Sequence, residues 1–295
     1  MKATEGILGT VNHAIITGED SEREALRKQE RLLAALASLD SLLVAFSGGA
    51  DSAYLAWAAH SALGNRALAV TAISPSFSSH DREHATAFVR QFGLNHHFIH
   101  SDEFENPLYV ANNADRCYHC KDELFSRMEA LAGERGFAAL AYGINADDTR
   151  DFRPGHRAAS EHRVLAPLLD AGLCKAEVRM LSRRAGLPTW DRPASACLSS
   201  RVAYGIAVTP ERLSRIERGE QELRRLGFRQ FRLRDHGQLA RIEIAAEEMP
   251  MALTPEMAQR LVQSLRPLGY DFVTLDLEGY RQGSLNRGLR KTRTR

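Results

Sequence analysis

Ser47-Gly48-Gly49-Ala50-Asp51-Ser52 follows an apolar run, Leu42-Leu43-Val44-Ala45-Phe46, and precedes Ala53-Tyr54-Leu55-Ala56-Trp57-Ala58-Ala59. The first run reads as a buried strand and the second as a helix. A strand, a glycine turn and a helix in that order aim free backbone N–H groups at an anion. Two adjacent glycines allow a positive φ and close approach of the backbone to a ligand. The hydroxyls of Ser47 and Ser52 add donors. The stretch lacks the Gly-Lys-Ser/Thr end of a Walker A loop and the three glycines of the dinucleotide fingerprint. A plain Gly-Gly turn capped by Asp51 or Ser52 is the competing reading. The flanking strand and helix favour a pyrophosphate cradle.

The chain around it has 295 residues, enough for two domains, and a net charge of +2. So small a charge argues against bulk nucleic-acid or membrane-surface binding. Only the tail 287–295 is locally basic. No apolar run reaches about 18 residues, and no charged-then-apolar leader opens the chain, so a cytoplasmic location is expected. There the four cysteines suit metal binding or catalysis better than disulfides.

Strand-like and helical runs alternate from the phosphate turn outward. A helix is expected over 21–39, opened by a capping box at Ser21-Glu22-Arg23-Glu24. Strands follow at 67–73, 96–100 and 137–142, with helices at 80–92 and 121–135. This alternation predicts a parallel sheet with helices on both faces. Ligands of such sheets sit at the carboxyl ends of the strands. Three loops should therefore meet at one crevice: the glycine turn, residues 74–79, and Gly143-Ile144-Asn145-Ala146-Asp147-Asp148. Weak periodicity over 1–20 predicts a loose arm, and a composition shift near Trp190-Asp191-Arg192-Pro193 predicts domains at 21–190 and 191–295. In the second domain, helices are expected at 210–226, N-capped by Thr209 with Pro210 behind it, and at 255–265. Strands are expected at 231–234, 240–244 and 272–277.

Cys117-Tyr118-His119-Cys120 is a C-x-x-C with no second copy, so a structural zinc site is not indicated. Cys117, Cys120 and the distant Cys197 could hold a [4Fe–4S] cluster with one iron open. A pair of half-buried, redox-active thiols accounts for the same spacing equally well. Cys197 stands among small residues, and Arg201 would favour its thiolate. Cys174 reads as a structural thiol.

The hexapeptide resembles the PP-loop of ATP pyrophosphatases, which cleave ATP between the α and β phosphates and adenylate a substrate oxygen. Four further stretches occur in order: Arg116-Cys117-Tyr118-His119-Cys120-Lys121; the 143–148 loop with Arg153-Pro154-Gly155; Ala196-Cys197-Leu198-Ser199-Ser200-Arg201; and residues 275–284. With the PP-loop they resemble the LarE family, ATP-dependent sulfur transferases of nickel-pincer nucleotide biosynthesis, over about residues 20–288. The resemblance implies an adenine-nucleotide-alpha-hydrolase-like α/β fold with a smaller C-terminal α/β domain. It implies a small nucleotide substrate, pyridinium-3,5-biscarboxylic acid mononucleotide, one carboxylate of which is adenylated and becomes a thiocarboxylate. The product would serve lactate racemase and related enzymes. Nickel-insertion and carboxylase proteins of the same pathway are the implied partners, and a homo-oligomer is expected.

In one branch of the family the cysteine matching Cys197 gives up its own sulfur and becomes dehydroalanine. In another, three cysteines carry a [4Fe–4S] cluster and the protein survives. The C-x-x-C here favours the second, with Cys117, Cys120 and Cys197 as ligands. Ser47, Gly48, Gly49, Asp51, Ser52, Gly143 and Asn145 would hold ATP, with Asp51 and Asp147 or Asp148 on Mg²⁺. Cys197, Asp51 and Arg201 are the expected catalytic set. Ser200, Arg201 and Arg234 would meet the substrate's phosphate and carboxylates, because guanidinium forks match both groups. Glu243 and Glu247 are further candidates for the metal, but read better as a solvated strand edge. A PP-loop tRNA thiolase is the nearest rival, and the charge balance argues against it. A non-catalytic nucleotide sensor would need no cysteine trio.

Overall fold

A computed structural model describes residues 18–150, 154–193, 196–281 and 283–286. The expectations for the 1–17 part of the arm, Arg153, Gln282 and the 287–295 tail lie outside these residues. The first part of the chain runs α1 (Gly18–Ala37), β1 (Leu42–Ala45), α2 (Ala50–Leu63), β2 (Ala67–Ile73), α3 (Ser79–Phe92), β3 (His96–His100), α4 (Pro107–Val110), α5 (Arg116–Arg135), β4 (Ala139–Tyr142), α6 (Pro154–Glu161), α7 (Pro167–Asp170) and α8 (Lys175–Arg184). Its four strands form a parallel sheet in the order β3-β2-β1-β4.

All four residues of β1 are buried, which is why it reads as an unbroken apolar run. Leu42 and Val44 join a core with Leu32 of α1, Leu55 of α2 and Val178 of α8. Leu43 and Ala45 point the other way, against Phe125 and Met128 of α5 and Ala158 of α6. Alternate residues of one strand thus serve two helical layers.

The second part holds α9 (Pro210–Arg225), β5 (Phe231–His236), β6 (Leu239–Ile244), α10 (Met249–Ala252), α11 (Pro255–Leu265) and β7 (Phe272–Leu275). Its sheet, β5-β6-β7, is antiparallel between β5 and β6 and parallel between β6 and β7. A separate core of Leu223, Phe231, Leu233, Ile242, Leu261 and Leu265 lies under it. A smaller cluster joins the two parts: Tyr109 from α4 packs with Leu198, Val202, Val208, Leu213 and Ile216.

Several boundaries differ from expectation. α1 already covers Gly18 to Asp20, so the Ser21-Glu24 box lies inside the helix rather than opening it. α5 begins at Arg116 rather than at residue 121, which puts the C-x-x-C in its first turns. The reason is tertiary: Arg116 is buried and bonded to the Ser199 carbonyl, a partner far away in sequence. β7 stops at Leu275, leaving Leu277 78% exposed. Thr209 does cap α9, accepting from the Arg212 N–H, with Pro210 at the first helical position.

Candidate active site

β1 is the point where the sheet grows both ways, toward β2 on one side and β4 on the other. The crevice beyond its carboxyl end is where such sheets bind ligands. The glycine turn opens there. Gly48 has φ +74°, and a Cβ on it would stand 3.3 Å from Cβ of Ala85 on α3. Gly49 precedes α2, and no side chain caps that helix. The first N–H groups of α2 therefore face the crevice without a side-chain acceptor, as an anion site requires. The two serines shape the loop itself: Ser47 Oγ and Ser52 Oγ lie 3.0 Å apart, and Ser52 Oγ donates to the Gly49 carbonyl at 3.1 Å.

Gly143 and Asn145 work on the loop facing this one. A Cβ at Gly143 would come within 2.8 Å of the Ser52 backbone nitrogen, so glycine is needed for the end of β4 to abut the start of α2. Gly143→Ala should cost about 1–3 kcal/mol, as overpacking against backbone does. A lowered denaturation midpoint together with weakened ATP binding would check it. Asn145 is buried and accepts from the Asp147 N–H at 2.9 Å, which curls the loop. Asp147 Oδ2 accepts from the Lys175 N–H at 2.8 Å, so this carboxylate caps α8.

Asp51 stands on the first turn of α2. Its Oδ2 forms an ion pair with Lys175 Nζ at 2.6 Å. Its Oδ1 is buried and has no hydrogen-bond partner among the described residues. A buried, unsatisfied carboxylate oxygen beside an open helix N-terminus suits a Mg²⁺ ion, which Asp51 would hold. Lys175 has no local sequence signal, because only the docking of α8 on α2 brings it here. Arg192, read from sequence as linker, is a second addition. It donates to the Gly48 carbonyl at 3.0 Å and to Asp81 Oδ1 at 2.7 Å, bracing the glycine turn from behind.

The Cys197 turn lies against the loop after β2, where the Leu198 N–H donates to the Ser76 carbonyl at 2.9 Å. Arg201 was expected to meet substrate. In the structure it is buried, donating through Nε and Nη2 to Glu220 at 3.0 and 3.2 Å. Its Nη1 holds the carbonyls of Ala196 and Cys197 and reaches Ser200 Oγ. With these donors engaged, Arg201 clamps the cysteine turn. Arg234 is similar. It pairs with Glu243 through Nε and Nη2, and donates to the Ser200 carbonyl at 3.0 Å and to Ser284 Oγ at 3.0 Å. Glu243 is fully buried between Arg234 and Arg241, which corrects its reading as a solvated strand edge. Ser200 Oγ donates to the Cys197 carbonyl at 2.7 Å, so it too shapes the turn. Trp190 lies under Arg183, 5.0 Å from its guanidinium carbon, and is 37% exposed.

Burial works against the Glu220 carboxylate, but the charge and hydrogen bonds of Arg201 outweigh it and hold the group below its usual range. The stability this pair contributes is present above the carboxylate's unfolded value. It is lost only as pH falls through the depressed folded value. Glu220→Ala should cost about 3–5 kcal/mol by stranding a buried guanidinium. A urea denaturation series at neutral pH would measure the loss.

Three thiols share one neighbourhood. Burial pushes the Cys197 thiol up; Arg116 pulls it back, while Cys117 and Glu103 push it further up. Burial also pushes Cys120 well above the ordinary thiol range, with help from Glu103 and Cys197. Arg116 donates to the Ser199 carbonyl at 2.8 Å and lies 3.9 Å from Cys117 Sγ through Nη2. Among the described residues, no three His, Cys, Asp or Glu side chains are arranged to hold a metal. The donors suit a cluster in kind, three thiols in mutual influence, but they would have to turn to converge on one. Cys174 is half-buried at the N-cap of α8, its N–H bonded to Glu177 Oε2 at 2.8 Å.

A cavity of about 540 Å³ opens between α3 and the second sheet. Asp81, Arg192, Arg201, Glu220, Arg224 and Arg232 are among its lining residues. Arg192 and Arg201 are held by Asp81, Glu220 and backbone carbonyls, and the guanidinium groups of Arg224 and Arg232 suit an anionic ligand. No described helix is long and apolar enough to cross a membrane.

A parallel sheet with an SGGxDS turn at the carboxyl end of β1, uncapped toward phosphate, defines an ATP-using enzyme of the PP-loop class. In keeping with this, the NAD synthase family profile matches residues 30–133. The chain is 44% identical over 264 residues to an uncharacterized protein of Synechocystis, covering 90% of this chain and 98% of that one. It is 34% identical over 265 residues to the pyridinium-3,5-bisthiocarboxylic acid mononucleotide synthase of Lactiplantibacillus plantarum, covering 90% of this chain and 95% of the synthase. An uncharacterized Methanocaldococcus jannaschii protein is 25% identical over 240 residues, covering 81% and 90%. The chain belongs to the LarE family of ATP-dependent sulfur transferases.

Proposed function

We propose that this protein adenylates a carboxylate of pyridinium-3,5-biscarboxylic acid mononucleotide and replaces the activated oxygen with sulfur delivered at Cys197. The synthase of L. plantarum carries the thiocarboxylate product in its name. The observation that carries the reading is the stitching of the cysteine turn to the nucleotide crevice, Leu198 N–H to Ser76 carbonyl at 2.9 Å. Acyl-adenylate and sulfur are thereby brought to one place. ATP's phosphates would lie on the N–H groups of the 48–52 turn, with Lys175 beside them. Mg²⁺ on Asp51 would draw charge from the leaving pyrophosphate. The substrate carboxylate oxygen attacks the α-phosphorus, and the α–β bridging bond breaks toward pyrophosphate. The substrate's phosphate and second carboxylate would lie in the arginine-lined cavity. Residues 21–190 would then form the adenylating domain and 191–295 the substrate and sulfur-handling domain, working in the cytoplasm as a homo-oligomer. Nickel-insertion and carboxylase proteins would be its pathway partners, and lactate racemase a client of the cofactor.

For the sulfur, Cys117, Cys120 and Cys197 would hold a [4Fe–4S] cluster, whose open iron supplies a place for sulfide. The lack of a ready metal cage among the described residues favours a second reading, direct donation. There the Cys197 thiolate attacks the acyl carbon and AMP leaves. Loss of the Cα proton then breaks Cβ–Sγ, leaving thiocarboxylate and dehydroalanine. Incubation with substrate and ATP, with the nucleotides resolved chromatographically, should yield AMP and pyrophosphate. ADP and phosphate would refute the assignment. Intact mass after one cycle, on anaerobically purified protein, separates the two sulfur sources. Loss of H₂S mapped to Cys197 means donation, and an unchanged mass with retained iron means the cluster.

A further inference from the structure

Glu103 sits between β3 and α4, is 2% exposed, and belongs to none of the sequence motifs. Its Oε1 accepts from three hydroxyls: Ser74 Oγ at 2.6 Å, Ser76 Oγ at 2.6 Å and Tyr109 OH at 3.1 Å. Ser74 and Ser76 belong to the loop at the carboxyl end of β2, on the nucleotide crevice. Tyr109 OH lies 2.6 Å from Ser199 Oγ in the cysteine turn. The Ser76 carbonyl holds the Leu198 N–H. One buried carboxylate oxygen thus gathers the hydrogen bonds that connect the crevice loop to the turn bearing Cys197. Three hydroxyls on one buried carboxylate oxygen tie their loops to a single point, and a buried hydrogen-bond network of this kind fixes geometry tightly.

We propose that Glu103 is a positioning residue that locks the Cys197 turn onto the nucleotide crevice, so that sulfur delivery depends on it while ATP cleavage does not. This rests on the function proposed above. No atom of Glu103 needs to reach the reacting groups.

Glu103→Gln keeps the shape and removes the charge. Two readouts are taken on the full-length protein. First, pyrophosphate release and thiocarboxylate formation are followed in parallel. Release should persist, and sulfur transfer should fall by about a hundredfold, the scale of a misplacement near 1 Å. Second, hydrogen–deuterium exchange of the peptide holding Leu198 and Ser199 is followed by mass spectrometry on resting protein. It should speed up several-fold in the variant while the β1 peptide keeps its wild-type rate, because only the lock on the turn has loosened. Tyr109→Phe cuts the bridge to Ser199 and should lower sulfur transfer in the same direction, which keeps the proposal testable if Glu103→Gln folds poorly. Wild-type transfer rates in folded Glu103→Gln, an equal loss of both half-reactions, or unchanged exchange at the turn would each overturn the proposal. Wild-type protein that forms no AMP would instead overturn the proposed function, and the exchange at the turn would then judge Glu103 alone.

Discussion

Cys197→Ala is expected to abolish thiocarboxylate formation, by more than about a thousandfold, on the scale seen when a covalent nucleophile is removed. ATP binding and pyrophosphate release should persist, because the phosphate site is built from the glycine turn, Asp51 and Lys175. The stability change should be small, since the residue is exposed at its surface and the turn is held by other groups. Leu198, Arg201 and Arg234 keep the turn in place through its backbone carbonyls and N–H. The companion variant Cys117→Ala divides the two sulfur sources. It should be harmful if Cys117 holds a cluster, and nearly silent if Cys197 alone supplies sulfur. Sulfur transfer by folded Cys197→Ala at a wild-type rate would remove Cys197 from the reaction altogether.

Asp51→Asn is expected to lower pyrophosphate release by about a hundred- to a thousandfold, the cost of losing one preorganised electrostatic group. The asparagine is isosteric and sits on the outer turn of a well-buried helix, so the fold should survive. Its Oδ1 position would no longer offer a charged oxygen to a cation, and Lys175 would lose its ion-pair partner. That pair is partly exposed and contributes little to stability, so a melting temperature close to wild type is expected beside the lost activity. Calorimetric titration with Mg²⁺ and a non-hydrolysable ATP analogue gives the second readout. Binding should become less dependent on Mg²⁺ in the variant. Unchanged pyrophosphate release would show that Asp51 only pairs with Lys175.

The relation between cysteine chemistry and fold follows from charge and burial. Desolvation of the Cys197 thiol pushes it up, although the residue as a whole is exposed. Arg116 opposes that push. It is itself buried, and the charges of Cys197 and Cys117 raise it against its desolvation. The turn therefore holds a thiol that a nearby positive charge can ionise. It is also the place where backbone bonds from Arg116, Arg201 and Arg234 converge.

Much of this protein can be read from residues that act through their immediate neighbours. The unbroken apolar β1 demanded a strand covered on both faces, and the Gly48-Gly49 turn demanded an anion site, because φ and hydrogen-bond supply are local properties. A threonine cap followed by a proline opens both α9 and α11 for the same reason. The ordered motifs named the family, whose shared chemistry the relatives bear out. What local pattern could not decide was which groups are free to act. Arg201 and Arg234 looked like substrate binders, yet Glu220 and Glu243, brought from other elements, claim their donors. Lys175 and Glu103 stand in no motif and Arg192 was read as linker, yet the fold sets them on the phosphate turn and beside the cysteine turn. A guanidinium or carboxylate carries the same charge wherever it stands in the chain. Whether that charge is spent on a buried partner or presented to a ligand depends on distances across the fold, and those exist only once the sheets and helices have packed.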